Sequence, residues 1–150
     1  MKIEQAGNMA QYGKSFQMPK IAENWSDDEK KAWAVGLLSG YKGLDEVEVK
    51  HIVVDKSEKL YERLEIHDKS PQVYAVISGS VAVPVSEKLE SESVRFYQAK
   101  AGEAIIVDEK VWHAGAVGID TPAIVIVVLA AGTSETDTIK KPLQPAVKFG

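Results

Sequence analysis

A chain of 150 residues with 45% hydrophobic and 27% charged side chains has the size and balance of one globular domain. Its net charge of −4 excludes the basic footprint that nucleic acid demands, so no nucleic-acid partner is expected. The lack of cysteine excludes thiolate chemistry and a disulfide framework, and with three histidines in all, each imidazole carries weight.

The opening residues lack the apolar h-region of a signal peptide. The longest apolar run, 123–131, falls well short of the roughly 20 residues of a membrane helix and is bounded by Pro122 and Gly132. These features predict a cytoplasmic protein with no membrane partner. Residues 1–24 read as an arm of short extended pieces, with a turn at Tyr12 and Gly13 and an extended dipeptide at Met18 and Pro19. Ser26 followed by Asp27, Asp28 and Glu29 is a capping-box pattern. It predicts one short helix over 27–39, packing through Ala32, Trp33, Gly36 and Leu37 and stopped by Gly40.

From residue 44 the period changes to two: Val47, Val49, His51 and Val53 alternate with Glu46, Glu48, Lys50 and Ile52. Strands are predicted over 46–55, 59–67, 72–78, 79–85, 94–99, 103–108, 113–117 and 123–130. Many short strands with almost no later helix indicate an all-β sandwich or barrel. The layout is a single domain: arm and helix over 1–45, barrel over 46–130, and a tail over 131–150 kept extended on the surface by Pro142 and Pro145. His51, set among valines, reads as core or interface, and the acidic stretch 87–92 as a solvated hairpin tip.

The chemistry concentrates in two stretches. Glu65 and His67 are two apart on a strand and so share a face; a turn at Ser70 and Pro71 brings Gln72 back beside them. His113 ends a later apolar strand. The same alternation places Tyr61 and Arg63 with Glu65 and His67, while Leu60, Glu62, Leu64 and Ile66 face away; Arg63 could fork onto a substrate carboxylate. Structural roles stand beside these readings. The two histidines could be satisfied by backbone or water, Glu65 by Arg63, Gln72 by the strand entry, and Trp112 is a packing residue that could also wall a pocket.

Written as spacings, the stretches are Glu-x-His-x4-Gln-x6-Gly, from Glu65 to Gly79, and Gly-x10-His, from Gly102 to His113. This pattern resembles the two motifs of the cupin superfamily, with Glu65 and His67 in place of the His-x-His pair, Gln72 in place of the glutamate and His113 in place of the distant histidine. Asp108, Lys110 and Val117 depart from the usual proline, glycine and asparagine. Within the cupins, Glu-x-His-x4-Gln together with Val111-Trp112-His113 resembles the ureidoglycolate lyase family. The turn at Tyr12 and Gly13, the apolar hairpin over 73–85, and the segment from Leu129 to Thr133 with Asp137 agree; residues 20–58 do not obviously match, and Ala114 stands where members often carry a second histidine.

The resemblance implies a cupin-type double-stranded β-helix, or jelly-roll barrel, with an amino-terminal arm, assembled as a homodimer. It implies one divalent metal ion and no organic cofactor. Glu65, His67, Gln72 and His113 form a sulfur-free ligand set suited to Mn, Fe, Ni or Zn. It further implies release of urea and glyoxylate from ureidoglycolate, as in allantoin and purine breakdown, or action on a related small hydroxy or keto acid. Such an elimination needs a base, an acid and a carboxylate anchor. His113 or His67 is the candidate base, Glu65 the acid partner or metal ligand, and Arg63 or Lys110 the anchor. Tyr61, Gln72 and Trp112 complete the expected substrate pocket. Two alternatives stay open: a non-catalytic metabolite-binding cupin, and a metal-dependent sugar-acid isomerase or oxygenase.

Overall fold

The computed structural model describes residues 2–16, 25–26, 31–32 and 41–150. The chain is rich in valine and isoleucine, whose branched side chains crowd a helix but pack well on a pleated surface, and most of the described residues are in strands. In chain order these are β1 (Ile3–Gln5), β2 (Gly13–Phe16), β3 (Trp25–Ser26), β4 (Lys31–Ala32), β5 (Val47–Val54) and β6 (Lys59–Ile66). There follow β7 (Gln72–Ser86), β8 (Arg95–Lys100), β9 (Ala104–Val107), β10 (Trp112–His113), β11 (Val117–Ala130) and β12 (Ile139–Phe149), with a single helical turn α1 (Thr133–Thr136) before the last strand. No described helix is long and apolar enough to cross a membrane.

The sheet curls around β7. The first four residues of this strand pair with β9, Ser80 to Val85 pair with β8, and β11 runs antiparallel to both halves. The change of partner falls at Gly79, at φ +73°, where an added Cβ would lie 2.9 Å from the carbonyl of Asp120. Register with β11 slips around the same place. A left-handed glycine bends a strand without ending its ladder, so the two strands predicted over 72–78 and 79–85 are one. β12 pairs along β6 and β10 bridges β6 to β7, closing the other side. The tail is therefore a sheet strand, and the strand expected over 113–117 is interrupted, since 114–116 lie between β10 and β11.

Two clusters fill the interior. One gathers Tyr74, Val76, Ile105, Val107, Val125, Val127 and Leu129. The other gathers Tyr61, Leu64, Phe96, Leu143 and Phe149. β11 alternates cleanly, with Ala123, Val125, Val127 and Leu129 buried and the residues between them half-exposed. β5 presents the opposite face to the one its valines suggest. Val49 is 65% and Val53 56% exposed, His51 is exposed rather than core, and Lys50 and Ile52 line a cavity. Alternation tells which residues share a face; only pairing decides which face turns inward.

Of the predicted helix over 27–39, residues 27–30 and 33–39 lie outside the described residues. Lys31–Ala32 is extended, pairing antiparallel with Trp25–Ser26, so a cross-strand ladder replaces helix there; local capping preference is a weak determinant that pairing overrides.

Candidate metal and substrate site

The register of three strands builds the site. His113 on β10 lies directly opposite Glu65 on β6, and Lys140 on β12 lies opposite Glu65 from the other side. Residues directly opposite on adjacent strands share a face, so Lys140, Glu65 and His113 form one row across the sheet. His67 follows two residues after Glu65, just beyond β6, and Gln72 opens β7 after a short loop.

That loop is held from below by Asp137. Its carboxylate accepts hydrogen bonds from the amides of Asp68 at 3.0 Å and Lys69 at 2.9 Å. Its backbone carbonyl accepts from His67 Nδ1 at 3.0 Å, and Thr138 Oγ1, which donates to the carbonyl of Thr133, lies 3.1 Å from the same nitrogen. On the other strand His113 Nδ1 donates to the carbonyl of Val111 at 2.9 Å. A carbonyl can only accept, so both imidazoles carry their proton on Nδ1 and, when neutral, turn a bare Nε2 lone pair inward.

Both Nε2 atoms meet Gln72 Oε1, at 3.0 Å from His67 and 3.4 Å from His113. The amide is oriented by its own donation from Nε2 to the Tyr74 hydroxyl at 2.8 Å. Glu65 Oε1 completes the group, 3.8 Å from His113 Nε2. The ligating atoms of Glu65, His67 and His113 all lie within 4.8 Å of one another. Four acceptors thus converge with no donor among them, the arrangement that a cation satisfies, and nitrogen with carboxylate and amide oxygen suits a borderline divalent ion. A half-turn of the Gln72 amide would instead offer its NH2 to both imidazoles and satisfy the cluster without an ion.

Burial dominates the electrostatics. His67 is 2% and His113 1% exposed. Desolvation pushes the His113 pKa down to about 4, with the neighbouring His67 acting in the same direction and the Val111 carbonyl and Glu65 against it. Its imidazole is neutral at neutral pH. Glu65 keeps a side-chain exposure of 23% and reaches the rim, where its Oε2 lies 3.6 Å from Lys140 Nζ. Lysine is prominent in the surrounding cavities: Lys50 and Lys140 border one of about 130 Å³, and Lys59 and Lys140 border another of about 220 Å³.

Of the residues expected from the sequence, Glu65, His67, Gln72 and His113 are brought together. Tyr61 is buried in the second core cluster with Leu64, and its hydroxyl donates to the carbonyl of Gly115 at 2.8 Å. Tyr61 also lines the cleft with Arg63 and Glu65, while Leu64, expected to face away from it, lies in the same core cluster as Tyr61. Arg63 is exposed at the edge of the cleft that Glu65 borders. Lys110 occupies the left-handed region at φ 64°, in the turn where cupins usually have glycine, and its exposed ammonium stands 3.8 Å from Asp68 rather than at the cluster. Trp112, on the strand face opposite to that of His113, packs on the second core cluster. The sequence reading did not single out Lys50, Lys59 or Lys140. Lys140 belongs to a segment read as tail, and only the β6–β12 register reveals it.

No protein-family model matches the chain, and no curated protein matches it. Solved structures do. A 3,4-ketoisomerase from Helicobacter canadensis is 14% identical, with a TM-score of 0.58 over 84% of this chain and 88% of that one. QdtA, a sugar 3,4-ketoisomerase from Thermoanaerobacterium thermosaccharolyticum in complex with TDP, is 15% identical, with a TM-score of 0.59 over 87% of this chain and 89% of that one. The chain spans 24% of the Bacillus subtilis oxalate decarboxylase OxdC, at 16% identity and a TM-score of 0.45. At these identities the likeness is one of fold: the chain has the all-β cupin jelly-roll fold.

Proposed function

We propose that the chain is a metal-dependent cupin enzyme acting on a small hydroxy or keto acid, with ureidoglycolate as the substrate and glyoxylate and urea as the products. The observation that carries this reading is the convergence of four acceptor atoms, from Glu65, His67, Gln72 and His113, beside a rim of lysines. These four residues would hold a divalent ion, which when bound would supply Lewis acidity.

The chain's own groups supply the proton movements. His67, Gln72 and His113 would be the residues that hold the ion. Glu65, which has a second oxygen facing Lys140, is then the base that takes the carbinol proton. The Lys140 ammonium delivers a proton to the departing urea nitrogen as the carbon–nitrogen bond breaks and the aldehyde carbonyl of glyoxylate forms. Without the ion, His113, kept neutral by burial, takes the role of base.

A second reading, a metal-dependent sugar-acid isomerase or oxygenase, draws on the two ketoisomerases that share the fold over most of the chain. A third is a non-catalytic metabolite-binding cupin, with Gln72 as the sign of a relaxed site. A homodimer joined through the outer face of β5 and β11 belongs to the same proposal.

The test is the metal content of protein purified without chelator or nickel resin, followed by glyoxylate release from ureidoglycolate by loaded and stripped samples. Near-stoichiometric metal with release supports the lyase, and release without metal keeps the lyase but recasts the cluster as acid and base. Tightly bound metal without release moves the reading to the isomerase or oxygenase. Neither metal nor release leaves the metabolite-binding cupin.

A further inference from the structure

We propose that Lys59 is the carboxylate anchor of this site, holding a small monocarboxylate by its charged end while the Glu65, His67, Gln72 and His113 cluster faces the oxygen at the adjacent carbon. The inference rests on the functional reading above and adds a binding residue and a substrate class to it.

The other lysines around the cluster are engaged. Lys140 pairs with Glu65 at 3.6 Å, Lys50 contacts Ser134 Oγ at 3.2 Å and Glu48 at 4.0 Å, and Lys110 pairs with Asp68 at 3.8 Å. Among the described residues Lys59 has no carboxylate within ion-pair distance. Its ammonium lies over the ring of the buried Tyr61, 4.9 Å from the centroid. Gly115 stands beside it, where a Cβ would lie 3.7 Å from Nζ, in ordinary contact. Desolvation lowers its pKa, with Glu65 opposing and the neighbouring Lys56 acting in the same direction as desolvation.

Lys59 is exposed, and its place between two cavities is what suits it to the role of anchor. It borders both the cleft that contains Glu65 and an inner cavity of about 230 Å³ that reaches Gln72. Val54, Ala116, Val125 and Val127 make that inner cavity largely apolar, so Lys59 is the charged group in its wall. A ligand entering it carries its negative charge at Lys59 and an uncharged remainder inward. The class is therefore a monocarboxylate with a hydroxyl or carbonyl beside the carboxylate, held at Lys59 as a cation–anion pair.

The experiment is a calorimetric titration of metal-loaded protein with glyoxylate, using wild type, Lys59→Met and Lys59→Arg. Lys59→Met keeps an unbranched stem of similar length while removing the charge and, with it, the ammonium over the Tyr61 ring. It is expected to weaken glyoxylate binding at least tenfold with unchanged metal stoichiometry and thermal midpoint, and Lys59→Arg to retain most of the affinity. Glycolaldehyde, which lacks the carboxylate, is expected to bind wild type and Lys59→Met alike. Equal glyoxylate affinity in wild type and Lys59→Met, or no binding by wild type, overturns the anchor. Metal content, read on the same samples, judges the metal site separately. Protein that holds no metal yet loses glyoxylate on Lys59→Met overturns the metal reading and keeps the anchor.

Discussion

At the scale of single residues, the site is a matter of which atoms are left without a donor. His67 and His113 each spend Nδ1 on a backbone carbonyl, so their inward nitrogens can serve only a proton or a cation. The proton is disfavoured at His113, whose pKa burial lowers from 6.5 to about 4. The unfolded chain therefore takes up the proton first as pH falls, and stability that is complete above the ordinary imidazole value declines as pH drops towards 4. The size is on the order of 3 kcal/mol. Chemical denaturation of metal-free protein at pH 7 and pH 4.5 measures it, and His113→Asn is expected to flatten the decline; an equal decline in that variant would place the acid sensitivity elsewhere. Glu65, His67 and Gln72 were legible in the sequence because side-chain alternation and a short turn are local, whereas His113 was joined to them only by the resemblance in motif spacing. Lys140 was not, because an unpaired strand does not declare its neighbours; Lys59, six residues before Glu65 on β6, lay within reach of the alternation argument but was passed over for Arg63.

At the scale of elements, the loop between β6 and β7 is shaped by a residue more than sixty positions away. Asp137 follows α1 directly, and its carboxylate bridges the amides of Asp68 and Lys69 while its carbonyl orients His67. Hydrogen bonds to an ionised acceptor are each worth about 1.5–3 kcal/mol. Asp137→Ala is expected to lower stability by roughly 2 kcal/mol and weaken metal binding several-fold, since the loop that fixes His67 loses its clamp. Asp137→Asn, which keeps one acceptor oxygen, should fall between. Thermal unfolding and metal titration together check this, and a stability loss with unchanged metal affinity would mean that the carbonyl alone sets His67. The strands themselves were readable wherever valine and isoleucine alternate with polar residues. What the period could not supply was the inward face of β5, where Lys50 rather than Val49 turns toward the cavity. Nor could it show that Gly79 bends a continuous strand, or that β12 pairs with β6 despite its prolines.

At the scale of the molecule, the cupin barrel leaves one broad apolar face outside. Register sets it in rows: Val49, Val128 and Val73; His51, Ile126 and Ala75; Val53, Ile124 and Ser78. Val47 at 46%, Val49 at 65%, Val53 at 56% and Ile77 at 57% are exposed in or beside these rows. Among the described strands β5 ladders with β11 alone, so its other edge has no described strand partner. An exposed apolar patch of this kind is suited to a two-fold self-association, the homodimer proposed above, in which a second copy would supply the matching face. Sedimentation equilibrium at micromolar concentration is expected to give twice the 16.4 kDa of the chain. Val49→Lys, which places a charge where the side chain is already most exposed, should return the monomer with an unchanged thermal midpoint at low concentration. If wild type sediments as a monomer, the face serves another purpose. If the lysine variant stays dimeric, the contact lies elsewhere on the barrel.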